Sequence, residues 1–339
     1  MVLKLSDTDI AALHAEQRAA IAWCGAPPEG MSGRGIVTGV YDAEFPSCWV
    51  LLNELVRLGV DLPVEAWHRP GEVSERHLAL LSGLQLDLRL RIIEDDLDGP
   101  TERPFAIKPI AIQRSSFREV LWLDSDCFPI RDPSFLFDDP GYLDKGCLFW
   151  HDMMSIWQAL RWRPNAPVWQ VFNVPANDSQ EFESGQLLID KARCWPELCL
   201  TVHFNERRDV YYEYVFGDKD TFRLAWLHLA HMRNEPIEPV RYLGSAHVPY
   251  GFMPYGPFSM GALRPDFTFG GGTVVVHRDR EGAALFNHRC IQKFSLGPNS
   301  FNRDVANEAN YHAAIEDLRH LTGAQLPVQE KVHDGGGSS

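Results

Sequence analysis

The residues most suited to chemistry lie in REVLWLDSDCFPIRDP, Arg118 to Pro133. An apolar run, Val120 to Leu123, leads straight into Asp124 and Asp126. A run that apolar reads as a strand buried on both faces. Side chains alternate along a strand, so both carboxylates point to one side where the chain emerges. Two like charges so close need a counter-ion or full hydration. A divalent cation held by hard oxygen ligands meets that need. The plainer alternative is a strand exit carrying two solvated turn formers.

The surrounding pattern indicates what must position the pair. SDTDIAALHAEQRAAIAW reads as an N-terminal amphipathic helix, an appendage over residues 1–24. After GAPPEGMSGRG, the strand GIVTGV leads to the helix PSCWVLLNELVRLG, stopped at Gly59. LPVEAWH is a second strand, SERHLALLSGL a second helix and LRLRIIE a third strand. PFAIKPIAIQRSS is a further helix with Pro109 in its first turn, and VLWL the next strand. This alternation predicts an α/β fold with a doubly wound, mostly parallel sheet. Ligands of such sheets bind beyond the carboxyl ends of the strands, where Asp124 and Asp126 sit.

Beyond residue 150 the alternation weakens. WHDMMSIWQALRWRPNAPVWQVFNVP has the composition of a substrate-facing insertion. ESGQLLIDKARCW gives a strand leading into a helix, and DVYYEYVFGDKDTFRLAW a helix with DKD at its middle or at a break. GGTVVVHRDREGAALFNHRCIQKF reads as a hairpin around DREG, with His277 and His288 near the ends of its arms. A C-terminal helix is expected within 301–330, and 331–339 reads as a flexible tail.

Composition narrows the classes. A net charge of -14 disfavours a general nucleic-acid or anionic-membrane surface. Seven scattered cysteines without a C-x-x-C suggest neither a zinc ribbon nor a redox dithiol. They read as buried thiols of a reducing compartment. The N-terminus lacks the apolar core of a signal peptide, and no apolar run reaches spanning length. The expectation is a soluble, cytoplasmic protein without a transmembrane segment, peripheral at a membrane only if it acts on a lipid-linked ligand.

The order of motifs KPIAIQRSSFREVLWLDSDCFPIRDPSFLF, GCLFW and ESGQLLIDK resembles the GT-A glycosyltransferases, over about residues 34 to 294. Among them it is most similar to the fungal-type α-mannosyltransferases of mannan synthesis and their bacterial relatives. The resemblance implies a GT-A domain over 34–300, with 34–150 as the nucleotide-sugar half and 151–300 as the acceptor half. It also implies a nucleotide-sugar donor, GDP-mannose or a UDP-sugar (hexose or pentose), and usually retention of anomeric configuration. Mn²⁺ or Mg²⁺ would bridge the diphosphate. The acceptor would be a carbohydrate: a glycan, a glycolipid or a small glycoside. Fungal members are membrane-anchored, so their glycoprotein acceptors do not carry over to a chain in which no anchor is read.

The resemblance then distributes roles. Asp126 is the firmest metal ligand, and Asp124 binds the metal directly or through water, or contacts the donor. A late His completes the metal set, His288 rather than its rival His277, with Lys293 following as a phosphate contact. Either His could instead be a half-buried strand residue. Lys108 reaches the diphosphate or is a solvated helix residue. Glu183 in ESGQ stabilises the positive sugar centre or orients the acceptor. Asp218 and Asp220 are further carboxylates near the donor sugar, or else a helix N-cap and a first-turn residue. Apart from the resemblance, aromatic faces flanked by polar side chains suit a sugar, so Trp150, His151, Asp152 and Trp157 read as an acceptor platform, although tryptophans cluster more often in cores. Arg131 and Asp132 pair with each other or organise their turn.

Three rival classes fit less well. A haloacid-dehalogenase-type phosphotransferase needs Thr or Val where Phe128 stands. A nucleotidyltransferase needs a Gly-rich phosphate loop after the first strand, where this chain has TGVYDAEF. An NAD protein needs G-x-G-x-x-G there. The non-enzyme alternative is a silent nucleotide-sugar-binding protein, which would bind donor without turnover.

Overall fold

The computed structural model describes residues 5–94, 107–152, 162–177, 181–235, 249–253, 258–260, 274–290 and 292–324. Trp157, the 331–339 tail and the end of the expected C-terminal helix lie outside these residues.

The main sheet is built from β1 (Arg34–Gly39), β2 (Val64–His68), β3 (Leu88–Ile92) and β4 (Glu119–Leu123), then β6 (Cys147–His151), β7 (Phe182–Asp190) and β8 (Gly251–Phe252). Their order is β3-β2-β1-β4-β7-β6-β8. The first four are mutually parallel, β7 runs antiparallel to β4 and β6, and β8 is parallel to β6. The strands of both halves of the chain thus share one sheet.

Alternation along the strands fills two cores. Val120 and Trp122 of β4, with Leu187 and Ile189 of β7, face one layer. That layer holds α1 (Asp7–Trp23), α4 (Ile107–Arg114), α6 (Pro167–Val171), α7 (Trp195–Glu206), α8 (Arg208–Tyr211) and α9 (Asp218–Met232). Leu121, Leu123 and Leu188 face the other, with α2 (Phe45–Leu58), α3 (Glu75–Ser82) and α10 (Glu308–Thr322). Helices on both faces make the sheet doubly wound, as the sequence predicts. A short α5 (Pro140–Lys145) enters β6.

Local chemistry explains the boundaries. Ser6 caps α1 by accepting the Asp9 N–H, and Asp9 returns the bond to the Ser6 N–H. Gly59 ends α2 at φ 66, the left-handed conformation a glycine adopts without strain. DKD falls at the break in its segment: Gly217 is the N-cap of α9, and Asp218 is its first residue rather than its cap. Arg131 pairs with Asp279 and not with Asp132, whose carboxylate instead accepts the Ser134 N–H at 2.9 Å.

One small sheet matters most for position. β5 (Cys127–Pro129), β11 (Ala284–His288), β10 (Val274–Arg278) and β9 (Phe258–Met260) form it, in the order β5-β11-β10-β9. The late hairpin is present, and β5, immediately after Asp126, pairs antiparallel with it. His288 lies opposite Cys127 in that register, and the Arg289 N–H donates to the Asp126 carbonyl at 2.9 Å. A residue 162 positions away is thereby fixed beside the aspartates. No helix among the described residues is long and apolar enough to cross a membrane.

Candidate active site

A cavity of about 630 Å³ opens at the carboxyl ends of β1 and β4. Its wall includes Lys108, Asp124, Asp126, Glu183, Asp218, His288 and Lys293. It also includes Tyr41, Glu44, Ser184, Phe216, Lys219 and Cys290, which the sequence reading does not single out.

Asp124, Asp126 and His288 each bring one ligand atom to within 4.8 Å of the others. Asp126 is buried, with His288 Nε2 at 3.4 Å from one oxygen and Lys293 Nζ at 3.1 Å from the other. Burial alone would raise its pKa, but these two cations overcome it and hold the carboxyl well below its ordinary range. The converse holds for His288. Burial would lower its pKa, yet Asp126 and then Glu183 push it up to about 9. Two carboxylates and an imidazole, oxygen-rich with one borderline nitrogen, are a donor set that suits Mn²⁺ or Mg²⁺. The residues present therefore fit the metal the sequence resemblance implies.

Lys108 is buried, not a solvated helix residue. Its ammonium donates to Ser184 O and Oγ, each at 2.8 Å, and lies 3.1 Å from both Asp124 and Asp218. Burial disfavours its charge, but Asp124 and Asp218 more than restore it and raise its pKa. Trp122 Nε1 donates to Asp124 at 2.7 Å, fixing that carboxylate from a second side. Lys293, more open, also contacts Glu44.

Glu183 stands near the start of β7. One carboxylate oxygen accepts the N–H groups of Ser184 and Gly185 at 2.8 and 3.1 Å; the other faces His288 Nδ1 at 3.9 Å. Burial acts to raise its pKa, but His288 and Lys219 prevail and lower it to about 2. Lys219 in turn contacts Asp152 and lies 2.9 Å from Glu181. Burial, with Glu183 nearby, raises Asp152 to about 7 against the pull of Lys219. Burial likewise raises Asp218, although Lys108 opposes it.

The expected acceptor platform is corrected in part. Trp150 is wholly buried, donates from Nε1 to the Arg278 carbonyl at 3.0 Å and stands edge-on to Phe286. Every residue of β6 is buried, so Trp150 presents no ring face to a sugar and belongs to the core. His151 and Asp152 are not among the residues lining the cavity, although Asp152 pairs with Lys219, which is. Asp220 is buried in the first turn of α9, also outside the wall. His277 is buried beside His288, its ring centroid 5.8 Å away, and is absent from the Asp124–Asp126 cluster.

Of the residues missed, Lys219 had a signal, since it sits between the two aspartates of DKD. Tyr41 and Glu44 could have been found from their place just beyond β1, by the same rule that located Asp124. Phe216, 78% exposed, and Cys290 carry no such signal.

Comparison with known proteins bears on residues 33–161, which match the family described as "Mannosyltransferase putative". That stretch contains Lys108, Asp124 and Asp126; Glu183, Asp218, His288 and Lys293 lie beyond it. Over 270 residues the chain is 25% identical to alpha-1,2-mannosyltransferase MNN2 of Saccharomyces cerevisiae, covering 66% of this chain and 45% of that one. It is 27% identical over 235 residues to alpha-1,2-mannosyltransferase MNN24 of Candida albicans, covering 55% and 32%. The chain thus spans less than half the length of these relatives. Among solved structures, galactosyltransferase LgtC in complex with donor and acceptor sugar analogs is similar over 56% of this chain and 69% of that one, with 16% identity and a TM-score of 0.42. The resemblance to α-mannosyltransferases read from the motifs is thus found again in these relatives.

Proposed function

We propose that this chain is a divalent-metal-dependent, retaining glycosyltransferase that moves mannose from GDP-mannose to a hydroxyl of a carbohydrate acceptor. The observation that carries the reading is the convergence of Asp124, Asp126 and His288 on one wall of the cavity, beside Lys293 and Glu183. Similarity to α-1,2-mannosyltransferases favours mannose over the UDP-sugars.

Each role follows from charge and place. Asp124, Asp126 and His288 would hold Mn²⁺ or Mg²⁺, which when bound offsets the negative charge growing on a departing diphosphate. Lys293, half-buried and on the same wall, supplies a cation that can turn from Asp126 to a phosphate oxygen. Lys108 acts as a positioning residue: its donors are engaged by Asp124, Asp218 and Ser184, so it sets the angle of Asp124. Glu183, kept ionised by its cationic neighbours, faces the cavity and stabilises positive charge at the anomeric carbon. Glu183→Gln should then lose turnover while keeping donor affinity.

The test is hydrolysis of a panel of nucleotide sugars without acceptor, each with Mn²⁺ and with EDTA. GDP-mannose should release GDP only when metal is present. Release from a UDP-sugar instead would keep the class and replace the donor. No release from any sugar, together with no thermal shift from GDP or UDP plus Mn²⁺, would remove the transferase reading.

A further inference from the structure

His277 has no ordinary reason to be where it is. It is 1% exposed on β10, and neither ring nitrogen has a hydrogen-bond partner among the described residues. A neutral imidazole carries one N–H and one lone pair, both of which call for partners once water is removed. An apolar side chain would fill the same place without that cost. Next to it, His288 Nδ1 is also without a hydrogen bond, and the nearest oxygen of Glu183 stands 3.9 Å from it. One ligand atom from each of Glu183, His277 and His288 lies within 4.8 Å of the others.

We propose that Glu183, His277 and His288 form a second metal position, one for a zinc-class ion, which shares His288 with the Asp124–Asp126 set. Two imidazoles and a carboxylate are a donor set that Zn²⁺ takes readily, whereas the two aspartates suit harder ions. The surroundings support the ligands. Glu183 is held by the Ser184 and Gly185 N–H groups through the oxygen turned away from His288. Gly185 leaves the room His288 occupies, since a Cβ there would come within 2.5 Å of the imidazole.

The sharing makes the two positions compete. His288 directs Nε2 at Asp126, 3.4 Å away, and Nδ1 at Glu183. A neutral imidazole offers one lone pair, so an ion on Nδ1 leaves an N–H on Nε2 facing Asp126. Zinc at the second position would withdraw His288 from the first and engage Glu183 as well. Inhibition by zinc is therefore expected, a consequence that rests on the function proposed above; the binding itself does not.

The experiment is calorimetric titration of the full chain with Zn²⁺ alone, free of nucleotide and manganese. One tight site is expected. His277→Leu removes a direct ligand and should weaken it by more than the about 10–100-fold that loss of an outer supporting partner costs. Asp124→Asn, which changes a carboxylate paired with Lys108 and Trp122 rather than with His288, should leave it within a few-fold of the parent. Because leucine replaces a buried, partnerless imidazole, His277→Leu should melt no lower than the parent without metal; His277→Gln repeats the test if it does not fold. Equal zinc affinity in the His277 variant, or loss of zinc in Asp124→Asn, would overturn the proposal. Failure of the transferase reading would appear elsewhere, as absence of Mn²⁺-dependent nucleotide binding in the parent.

Discussion

The two buried lysines at opposite ends of α4 are chemically alike and physically opposite. At the start of the helix, Lys108 meets Asp124 and Asp218, each 3.1 Å from its ammonium. At the far end, Lys191 donates to the carbonyls of Gln113 and Ser115 at 3.1 and 2.7 Å, and among the described residues no carboxylate pairs with it. Full negative charges raise the Lys108 pKa above its ordinary value. Burial dominates for Lys191 and lowers it to about 8. Carbonyls at a helix C-terminus satisfy an ammonium's donors without returning the lost hydration. Burial of a cation therefore does not mark a function. What marks the end near Asp124 is the density of opposite charge around a cavity.

The largest effect that can break this contrast is at the cavity end. Asp126→Asn removes a proposed metal ligand, and turnover should fall by about a thousandfold, roughly 4 kcal/mol of barrier. Mn²⁺-dependent GDP binding should vanish with it. Turnover within a few-fold of the parent would dissociate the aspartate pair from the chemistry. Lys108→Met comes next. It leaves Asp124 facing a buried Asp218 without a cation between them. Loss of one partner of a buried pair costs about 3–5 kcal/mol, and about 3 kcal/mol is expected here because Asp124 is partly open. Urea unfolding measures that loss, and GDP binding should weaken alongside because Asp124 is no longer held. Lys191→Met should cost less, about 2 kcal/mol for two buried carbonyls left without donors. GDP binding should be unchanged. If Lys191→Met weakened GDP binding as much as Lys108→Met, the division between the two ends of α4 would fail.

The sequence made one end of this contrast readable and hid the other. Val120 to Leu123 running into Asp124 locates a strand end, and the strand–helix alternation identifies that end as the ligand-binding one. The doubly wound sheet and Gly59 were legible for the same reason: period and turn chemistry are local. His288 was legible only as one of two histidines on a hairpin. What sets it beside Asp126 is β5, three residues too short to stand out by period. Trp150 misled because its neighbours His151 and Asp152 are polar, while burial of β6 on both faces depends on strands far away in sequence. Lys191 left no trace at all. A lysine just after an apolar strand is ordinarily solvated, and it is the fold that carries this one to the carbonyls at the end of α4.

The smallest effect separates the two lysines most sharply, because its sign differs between them. Lys191 has a folded pKa of about 8, below its ordinary 10.5. Between these values the unfolded chain binds more protons than the folded one, so this residue makes stability rise with pH. Below about pH 8 both states are protonated and the contribution is flat. The stability of the parent relative to Lys191→Met should therefore increase from about pH 8 to about pH 10, followed by urea unfolding. Lys108 behaves in the opposite sense. Its folded pKa is raised, so the stability it contributes is fully present below 10.5 and is lost only as pH climbs through the higher folded value. The parent relative to Lys108→Met should stay level across that same window. A level trace for Lys191 would mean that the Gln113 and Ser115 carbonyls compensate its charge as fully as carboxylates do, and the two ends of α4 would then differ in geometry alone.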